Sequence, residues 1–197
     1  IILNYLINKN RNMKDNTTGI LLQGDIRGWT IPIIEEYQST FPDSEILLST
    51  WNNEDISKIT CDVVQTELPD STQPYTSSKN YQIIGCQKGL KKMKSDIVLK
   101  TRADLFVHNP NIFKLFLAEN DKEKIMYAHA GLMKEFREYL ISDFCQLSSR
   151  NTLSTFWNSM PLHGGDNNMA AEEYFTRNYL FKTKEDSRSW GVIHDEY

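Results

Sequence analysis

Two oppositely charged side chains follow a strongly apolar run near the middle of the chain. Residues 97–99 have the composition of a buried strand, and Arg102 and Asp104 come directly after it. Residues two apart on an extended chain project from the same face, so we expect this arginine and this carboxylate side by side. A guanidinium is a fixed cation suited to phosphate, and a carboxylate beside a diphosphate commonly holds a divalent metal. The pattern predicts a site for a phosphate-bearing ligand; the alternative is an internal ion pair that only neutralises both charges.

Polar residues also follow two other predicted strands. The first strand, residues 19–24, leads into four candidate contacts to a nucleotide, which are Gln23, Gly24, Asp25 and Arg27. The second strand, residues 45–51, ends in Trp51, a candidate apolar contact to a base or ribose. The glycines let the backbone approach a ligand, although their spacing is neither GxGxxG nor a P-loop. The alternatives are a plain strand-to-helix turn and a tryptophan that belongs to the core.

Two further carboxylates are candidate general bases. Deprotonation of an acceptor hydroxyl needs an Asp or Glu side chain in a pocket. Asp143 lies in a predicted strand or strand end, and Glu173 adjoins Glu172 on a predicted helix, where the alternative for both glutamates is a solvated face. His194 is a candidate metal partner for Asp104, although a lone histidine is more often structural.

The elements that must position these residues alternate along the chain. The predicted strands are residues 19–24, 45–51, 61–67, 97–107, 124–129 and 139–144, and the predicted helices are residues 30–41, 80–93, 111–118, 152–157 and 170–180. This alternation predicts an α/β fold with a mostly parallel central sheet and helices on both faces. In such sheets the ligand crevice lies at the carboxyl ends of the strands, where the candidate residues are found.

Length and composition set further limits. A chain of 197 residues fits a single domain, which we place at residues 19–197 after an N-terminal segment or linker, residues 1–18. The net charge of -4 does not favour a nucleic-acid partner. Three widely spaced cysteines suit a reducing cytosol, and no apolar run reaches the ~20 residues of a membrane span. Because the chain opens on Ile1 rather than methionine, we expect it to be a segment of a longer protein.

Several short blocks, taken in order, carry a family resemblance. They are residues 22–25 (LQGD), 41–51 (FPDSEILLSTW), 80–84 (NYQII), 89–90 (GL), 98–105 (VLKTRADL), 141–144 (ISDF) and 171–175 (AEEYF). Over residues 19 to 180 the chain resembles the WavE-type lipopolysaccharide-synthesis family, bacterial glycosyltransferase-like proteins related to the GT-A fold. The blocks at 41–51 and 98–105 are the most specific.

The resemblance implies a GT-A-like, Rossmann-like domain that binds a nucleotide-sugar. It implies donor contacts from the loop of residues 23–27 and from Asn80 and Gln82 on the following helix. The strand that carries Arg102 and Asp104 ends where the usual Asp-x-Asp metal motif would lie, with Arg102 in place of the first acid. The resemblance thus implies a divalent cation, Mn²⁺ or Mg²⁺, at Asp104, while the arginine leaves dependence on that cation open.

The function that the resemblance implies is glycosyl transfer from a nucleotide-sugar to a hydroxyl of a surface glycan, such as lipopolysaccharide, lipooligosaccharide or capsule. If the reaction inverts the anomeric carbon, the base would be Asp143 or, failing it, Glu173, whereas a retaining reaction would need no base there. Arg102 and a divalent ion at Asp104 would stabilise the leaving diphosphate. We expect a cytoplasmic protein that meets a glycan or lipid-linked acceptor at the inner face of the membrane. The alternatives are a non-catalytic GT-A-like module that binds a glycan or partner, and a nucleotidyltransferase.

Overall fold

The computed structural model describes residues 16–119, 121, 123–128 and 138–193. The described strands are β1 (Thr18–Gln23), β2 (Glu45–Trp51), β3 (Asp62–Thr66), β4 (Ile97–Arg102), β5 (Met126–Tyr127) and β6 (Cys145–Ser149). The described helices are α1 (Thr30–Thr40), α2 (Lys79–Lys92), α3 (Ile112–Ala118), α4 (Arg150–Asn158), α5 (Ala171–Asn178) and α6 (Trp190–Ile193), with a π-helix, Tyr179–Thr183, after α5. The predicted linker lies almost entirely outside the described residues, and β1 begins one residue before the predicted boundary.

The six strands form one mixed sheet in the order β3-β2-β1-β4-β6-β5. The strands from β3 to β4 pair in parallel, so the carboxyl ends of β1, β2 and β4 lie at one edge. Strand β6 runs antiparallel to β4, and β5 runs antiparallel to β6. The sheet is mostly parallel, as the alternation predicts, but its β6 side is antiparallel.

Helices cover both faces of the sheet. Side chains alternate along β1, so Ile20 and Leu22 pack in one apolar cluster and Leu21 packs in the other. The first cluster takes buried side chains from α1 and α3, and the second takes them from α2, α4 and α5. The predicted two-faced α/β arrangement is confirmed.

Strand β4 is shorter than predicted. It ends at Arg102 rather than at residue 107, because its pairing with β1 ends where Gln23 meets Arg102 and β1 then turns at Gly24, whose φ is 130°. The predicted second half of the strand leaves the sheet and packs against α1. The Tyr37 hydroxyl there donates to the Leu105 carbonyl at 3.2 Å.

The prediction of a strand at residues 139–144 is wrong. Tyr139 has φ 60°, a left-handed conformation that no strand accommodates, and its ring packs 5.0 Å from that of Trp190. The strand that pairs with β4 begins at Cys145. In this region β5 covers only two of the residues 124–129, and His129 lies outside the described residues.

The three cysteines are all unpaired. Burial raises the pKa of the Cys86 thiol to about 12, which keeps it protonated at neutral pH and removes it as a nucleophile. Within the described ranges, no helix has both the length and the apolar character to cross a bilayer.

Candidate functional site

A cavity of about 240 Å³ opens at the carboxyl ends of β1, β2 and β4. Eight of the nine predicted donor contacts line it, and these are Gln23, Gly24, Asp25, Arg27, Trp51, Gln82, Arg102 and Asp104. The chain crosses over at this edge of the sheet, since β1 pairs with β2 on one side and β4 on the other, so the cavity occupies the usual ligand position of an open α/β sheet. We call it the donor pocket, after the predicted contacts to a nucleotide-sugar donor that line it.

Arg102 and Asp104 form a two-pronged ion pair in the wall of the donor pocket. The Nε of Arg102 donates to Oδ1 of Asp104 at 2.8 Å, and Nη2 donates to Oδ2 at 2.7 Å. The bonds from Arg102 hold the pKa of the Asp104 carboxyl below its usual range. A guanidinium has five N–H donors, so three remain that no described residue accepts. The pair is a charged fork held in one orientation.

A second carboxylate and a second guanidinium also line the donor pocket. Trp51 is 1% exposed, and its Nε1 donates to Oδ1 of Asp25 at 2.7 Å. The other oxygen of Asp25 lies 3.7 Å from Nη2 of Arg27, and both side chains of this pair are about half exposed. The ring of Tyr81 meets that of Trp51 edge to face, with centroids 5.8 Å apart. This side offers an aromatic surface together with a half-exposed cation.

The floor of the donor pocket depends on a close approach of α2 to β1. Gln23 is 4% exposed, and its Nε2 donates to the Tyr81 carbonyl at 3.3 Å. A Cβ at Gly85 would lie 2.8 Å from both Cγ and Nε2 of Gln23. A Cβ at residue 85 would therefore force the Gln23 side chain to shift.

Asn80 is the predicted donor contact that the structure places elsewhere. Its Nδ2 donates to the His163 carbonyl at 3.0 Å, and its Oδ1 accepts from the His163 N–H at 2.7 Å. Both groups are buried, so Asn80 ties α2 to the loop before α5 and does not line the donor pocket. Its neighbour Gln82 lines the pocket.

Asp143 lies beside the donor pocket, at the entrance to β6. Thr101 pairs with Cys145, so the residues just before Cys145 lie next to the end of β4. The Arg102 guanidinium lies 5.4 Å from the ring centroid of Phe144. The hydrogen bond to Asp104 is the main cause that raises the pKa of Arg102, and the negative charge of Asp143 raises this pKa further. Asp143 is 3% exposed, and its Oδ1 has no hydrogen-bond partner among the described residues. It is the candidate base within electrostatic reach of the arginine.

Glu173 lies apart from this group. Its Oε1 accepts from Nη1 of Arg177 one turn along α5, at 3.1 Å. It borders a separate surface hollow with Glu138 and Asn168, and it lines neither the donor pocket nor the cavity at Asp143. Of the two predicted bases, the structure brings only Asp143 towards Arg102.

The carboxylates that line the donor pocket are not free to ligate a divalent cation in this arrangement. Both oxygens of Asp104 accept from Arg102, and Asp25 is engaged by Trp51 and Arg27. A carboxylate oxygen that accepts from a guanidinium or an indole has to give up that hydrogen bond before it can ligate Mn²⁺ or Mg²⁺. Within the described ranges no group of three or more His, Cys, Asp or Glu side chains could hold a metal, and His194 lies outside those ranges.

Sequence reasoning missed three contributors to the site. Ser78 and Tyr81 line the donor pocket, and their place at the start of α2 beside Gln82 was the available signal. Lys100 is completely buried and donates from Nζ to the Asp143 carbonyl at 2.5 Å. A lysine in the second half of an apolar strand was its signal, because such a charge is buried only with a partner.

Comparison with known proteins identifies the family. A comparison with curated proteins gives no match. The family model described as WavE lipopolysaccharide synthesis matches residues 22–187, which include β1 from Leu22 onward, the donor pocket and Asp143. The match spans well over half of the chain, and the chain therefore belongs to the WavE family of lipopolysaccharide synthesis.

Proposed function

We propose that this chain is a glycosyltransferase that moves a sugar from a nucleotide-sugar to a hydroxyl of a surface glycan. The observation that carries the proposal is the Arg102–Asp104 fork in a pocket at the carboxyl ends of three parallel strands, with the buried Asp143 beside it. Membership of a family of lipopolysaccharide synthesis supports the glycan as the product.

In this proposal the donor pocket binds the nucleoside diphosphate part of the donor. Tyr81 and Trp51 provide the aromatic side of the pocket, and Gln23 and Gln82 provide amide groups. The diphosphate lies against the three N–H groups of Arg102 that Asp104 does not use, because a guanidinium fork matches phosphate oxygens. Arg27, which is about half exposed, folds over the outer phosphate.

The reaction exchanges one C–O bond for another. The bond from the anomeric carbon to the diphosphate oxygen breaks, and its electron pair stays on the diphosphate. The acceptor oxygen forms the new bond to that carbon, and its proton passes to the Asp143 carboxylate. Arg102 stabilises the negative charge that develops on the leaving group, and this kind of fixed electrostatic contact is usually a large part of catalysis. No step is assigned to a metal ion, since the carboxylates of the pocket are engaged by guanidinium and indole groups.

Ligand-induced thermal stabilisation tests the donor half of the proposal. The protein is heated with each common nucleoside diphosphate, with EDTA or with Mn²⁺. A ligand at ~100-fold over its Kd stabilises the folded state by ~2.7 kcal/mol, which raises the melting temperature. Arg102→Lys keeps the charge and removes the fork, so we expect about tenfold weaker binding, or ~1.4 kcal/mol.

Arg188 supplies a matched control for that substitution. It forms the same kind of pair two residues from its partner, with Nη2 of Arg188 at 2.6 Å from Oδ2 of Asp186, but outside the donor pocket. Arg188→Lys should leave diphosphate binding unchanged. Equal losses in both variants, or no stabilisation by any diphosphate, contradict the donor site. Binding without turnover of any nucleotide-sugar supports the non-catalytic module instead.

A further inference from the structure

A second cavity of about 240 Å³ is lined by Asp143 and is separate from the donor pocket. Aromatic and polar side chains line it together, among them Tyr127, Asp143, Gln146, Phe156, Phe175 and Tyr179. We propose that this cavity binds one uncharged pyranose ring of the acceptor glycan. The inference rests on the proposed transfer reaction, for which it names the acceptor site and the class of acceptor.

The position of the cavity suits an acceptor. Gln146, which lines the second cavity, pairs with Lys100 in the sheet. Arg102, which lines the donor pocket, lies two residues after Lys100, so both cavities lie along the strand pair β4 and β6. Asp143 lines the second cavity, and the ring of its neighbour Phe144 lies 5.4 Å from the Arg102 guanidinium. A hydroxyl held at Asp143 therefore lies next to the group proposed to hold the leaving diphosphate.

The lining has the chemistry that a sugar ring needs. Pyranose rings present apolar C–H faces and polar edges, so they pack on aromatic rings and hydrogen-bond at their rims. The rings of Phe156 and Tyr179 pack with centroids 4.9 Å apart at the wall of the cavity. Oδ1 of Asp143 lacks a hydrogen-bond partner among the described residues, and a buried acceptor left unpaired is unfavourable. A small rotation of this carboxylate towards the cavity gives it a sugar hydroxyl as partner.

The volume and the charge of the second cavity limit the kind of ligand that it can bind. The cavity is smaller than the roughly 300–1,000 Å³ of pockets for drug-sized ligands, which favours one ring over an oligosaccharide. Its wall carries three carboxylates (Asp121, Glu123 and Asp143) and two ammonium groups (Lys124 and Lys184). The buried Lys100 is directed at the Asp143 carbonyl. With Lys100 counted, the carboxylates and ammonium groups balance, so the cavity offers no surplus positive charge to bind a uronic acid or a phosphorylated sugar, and the acceptor ring is a neutral hexose or N-acetylhexosamine.

Saturation-transfer NMR with the full chain tests this site. The probes are the methyl glycosides of glucose, galactose and N-acetylglucosamine, with methyl glucuronide as the anionic comparison. Asp143→Asn removes the negative charge of the carboxylate that is proposed to accept a hydrogen bond from the sugar. Tyr179→Leu removes an aromatic face while keeping apolar volume. The controls are Asp70→Asn and Tyr75→Leu, at exposed positions outside both cavities. Thermal unfolding of each variant checks that it folds, and nucleoside diphosphate binding is measured in parallel.

We expect at least one neutral glycoside to bind and methyl glucuronide to bind more weakly. Asp143→Asn and Tyr179→Leu should each weaken that binding by about tenfold, with both controls unchanged. Equal binding in all variants, or preference for the glucuronide, overturns the inference. If the diphosphate binds and no glycoside does, the proposed acceptor site is contradicted and the proposed donor site is not. If glycosides bind and no diphosphate does, the cavity stands as a sugar site and the proposed transfer reaction falls.

Discussion

The side chain of Lys100 ties the central strand of the sheet to the candidate base. Its Nζ is fully buried, donates to the Asp143 carbonyl at 2.5 Å and lies 4.9 Å from the ring centroid of Trp157. These contacts satisfy a charge that would otherwise be costly to bury. Because the bond is to the main chain, Lys100 fixes the backbone from which the Asp143 carboxylate projects. It is a positioning residue, one step removed from the chemistry.

Lys100→Met should lower kcat substantially and lower the unfolding free energy only slightly. The substitution keeps the side-chain length and removes the bond to Asp143. We expect kcat to fall by at least about tenfold, since a well-placed general base contributes roughly 10²–10⁴-fold. Loss of the hydrogen bond destabilises the fold, but relief of ammonium desolvation offsets part of it, so unfolding free energy should fall by about 1 kcal/mol. Steady-state kinetics and urea unfolding measure both effects.

Lys91→Met on the exposed side of α2 is the matched control and should change neither quantity. The expected signature of Lys100→Met is a lower kcat with KM for the nucleotide-sugar unchanged, because the donor pocket does not include Lys100. A normal kcat in Lys100→Met would contradict a positioning role for this lysine.

Asn80 and Gln82 are close in sequence but should behave differently when truncated. Asn80 makes two buried hydrogen bonds to His163, so Asn80→Ala should destabilise the fold by about 1–3 kcal/mol and leave diphosphate affinity unchanged. Gln82 lines the donor pocket, so Gln82→Ala should weaken diphosphate binding with little change in stability. Urea unfolding and calorimetric titration of both variants separate the two roles. Weaker binding in Asn80→Ala at unchanged stability would return that residue to the donor site.

The sequence predicts most of the parallel half of the sheet. Strands β1, β2 and β4 each contain an uninterrupted apolar run, residues 20–22, 46–48 and 97–99, which is the pattern of strands buried on both faces. Their order then places the polar residues that follow them at one edge, and this predicts the part of the donor pocket that these strands supply. Local composition carries this information, so one sequence suffices. The part supplied by α2 is predicted only at Gln82, from the family resemblance, and is missed at Ser78 and Tyr81.

The antiparallel half could not be predicted for an equally physical reason. Strand β6 (Cys145–Ser149) buries Gln146 and Ser148, whose polar groups are satisfied by Trp157 and by the Lys124 carbonyl. Its residues therefore lack the apolar pattern of a strand. The bond between Asn80 and His163 joins residues 83 positions apart, and nothing in local composition encodes such a contact.

Asp104→Asn should make stability less dependent on pH under acidic conditions. The hydrogen bonds from Arg102 hold the folded-state pKa of Asp104 below its value of about 3.9 in the unfolded chain. The stabilisation is therefore complete above about pH 4 and is lost as the pH falls through the folded-state pKa. Since the Arg102 side chain is 42% exposed, we expect a difference below about 1 kcal/mol at neutral pH. Urea unfolding of both proteins at about pH 7, 5 and 3 measures it.

Arg102→Gln provides the reference for this pH effect. With the guanidinium gone, Asp104→Asn should have the same effect on unfolding free energy at every pH, which completes a double-mutant cycle. If the effect of Asp104→Asn on the unfolding free energy still changes with pH in the Arg102→Gln background, a group other than Arg102 lowers the pKa of Asp104. Arg27, whose charge also lowers it, would then be the next residue to replace.

Gly85→Ala should change from destabilising to stabilising when Gln23 is shortened. Alanine is a better helix former than glycine by about 1 kcal/mol, but its Cβ would meet the buried Gln23 side chain at 2.8 Å. Overpacking of this kind costs about 1–3 kcal/mol, so Gly85→Ala alone should lower the unfolding free energy and weaken diphosphate binding as Gln23 moves into the donor pocket. In the Gln23→Ala background the collision is absent, and the helix preference should dominate. Urea unfolding of the two single variants and the double variant measures the coupling, and simple additivity would show that Gln23 does not fill the space beside α2.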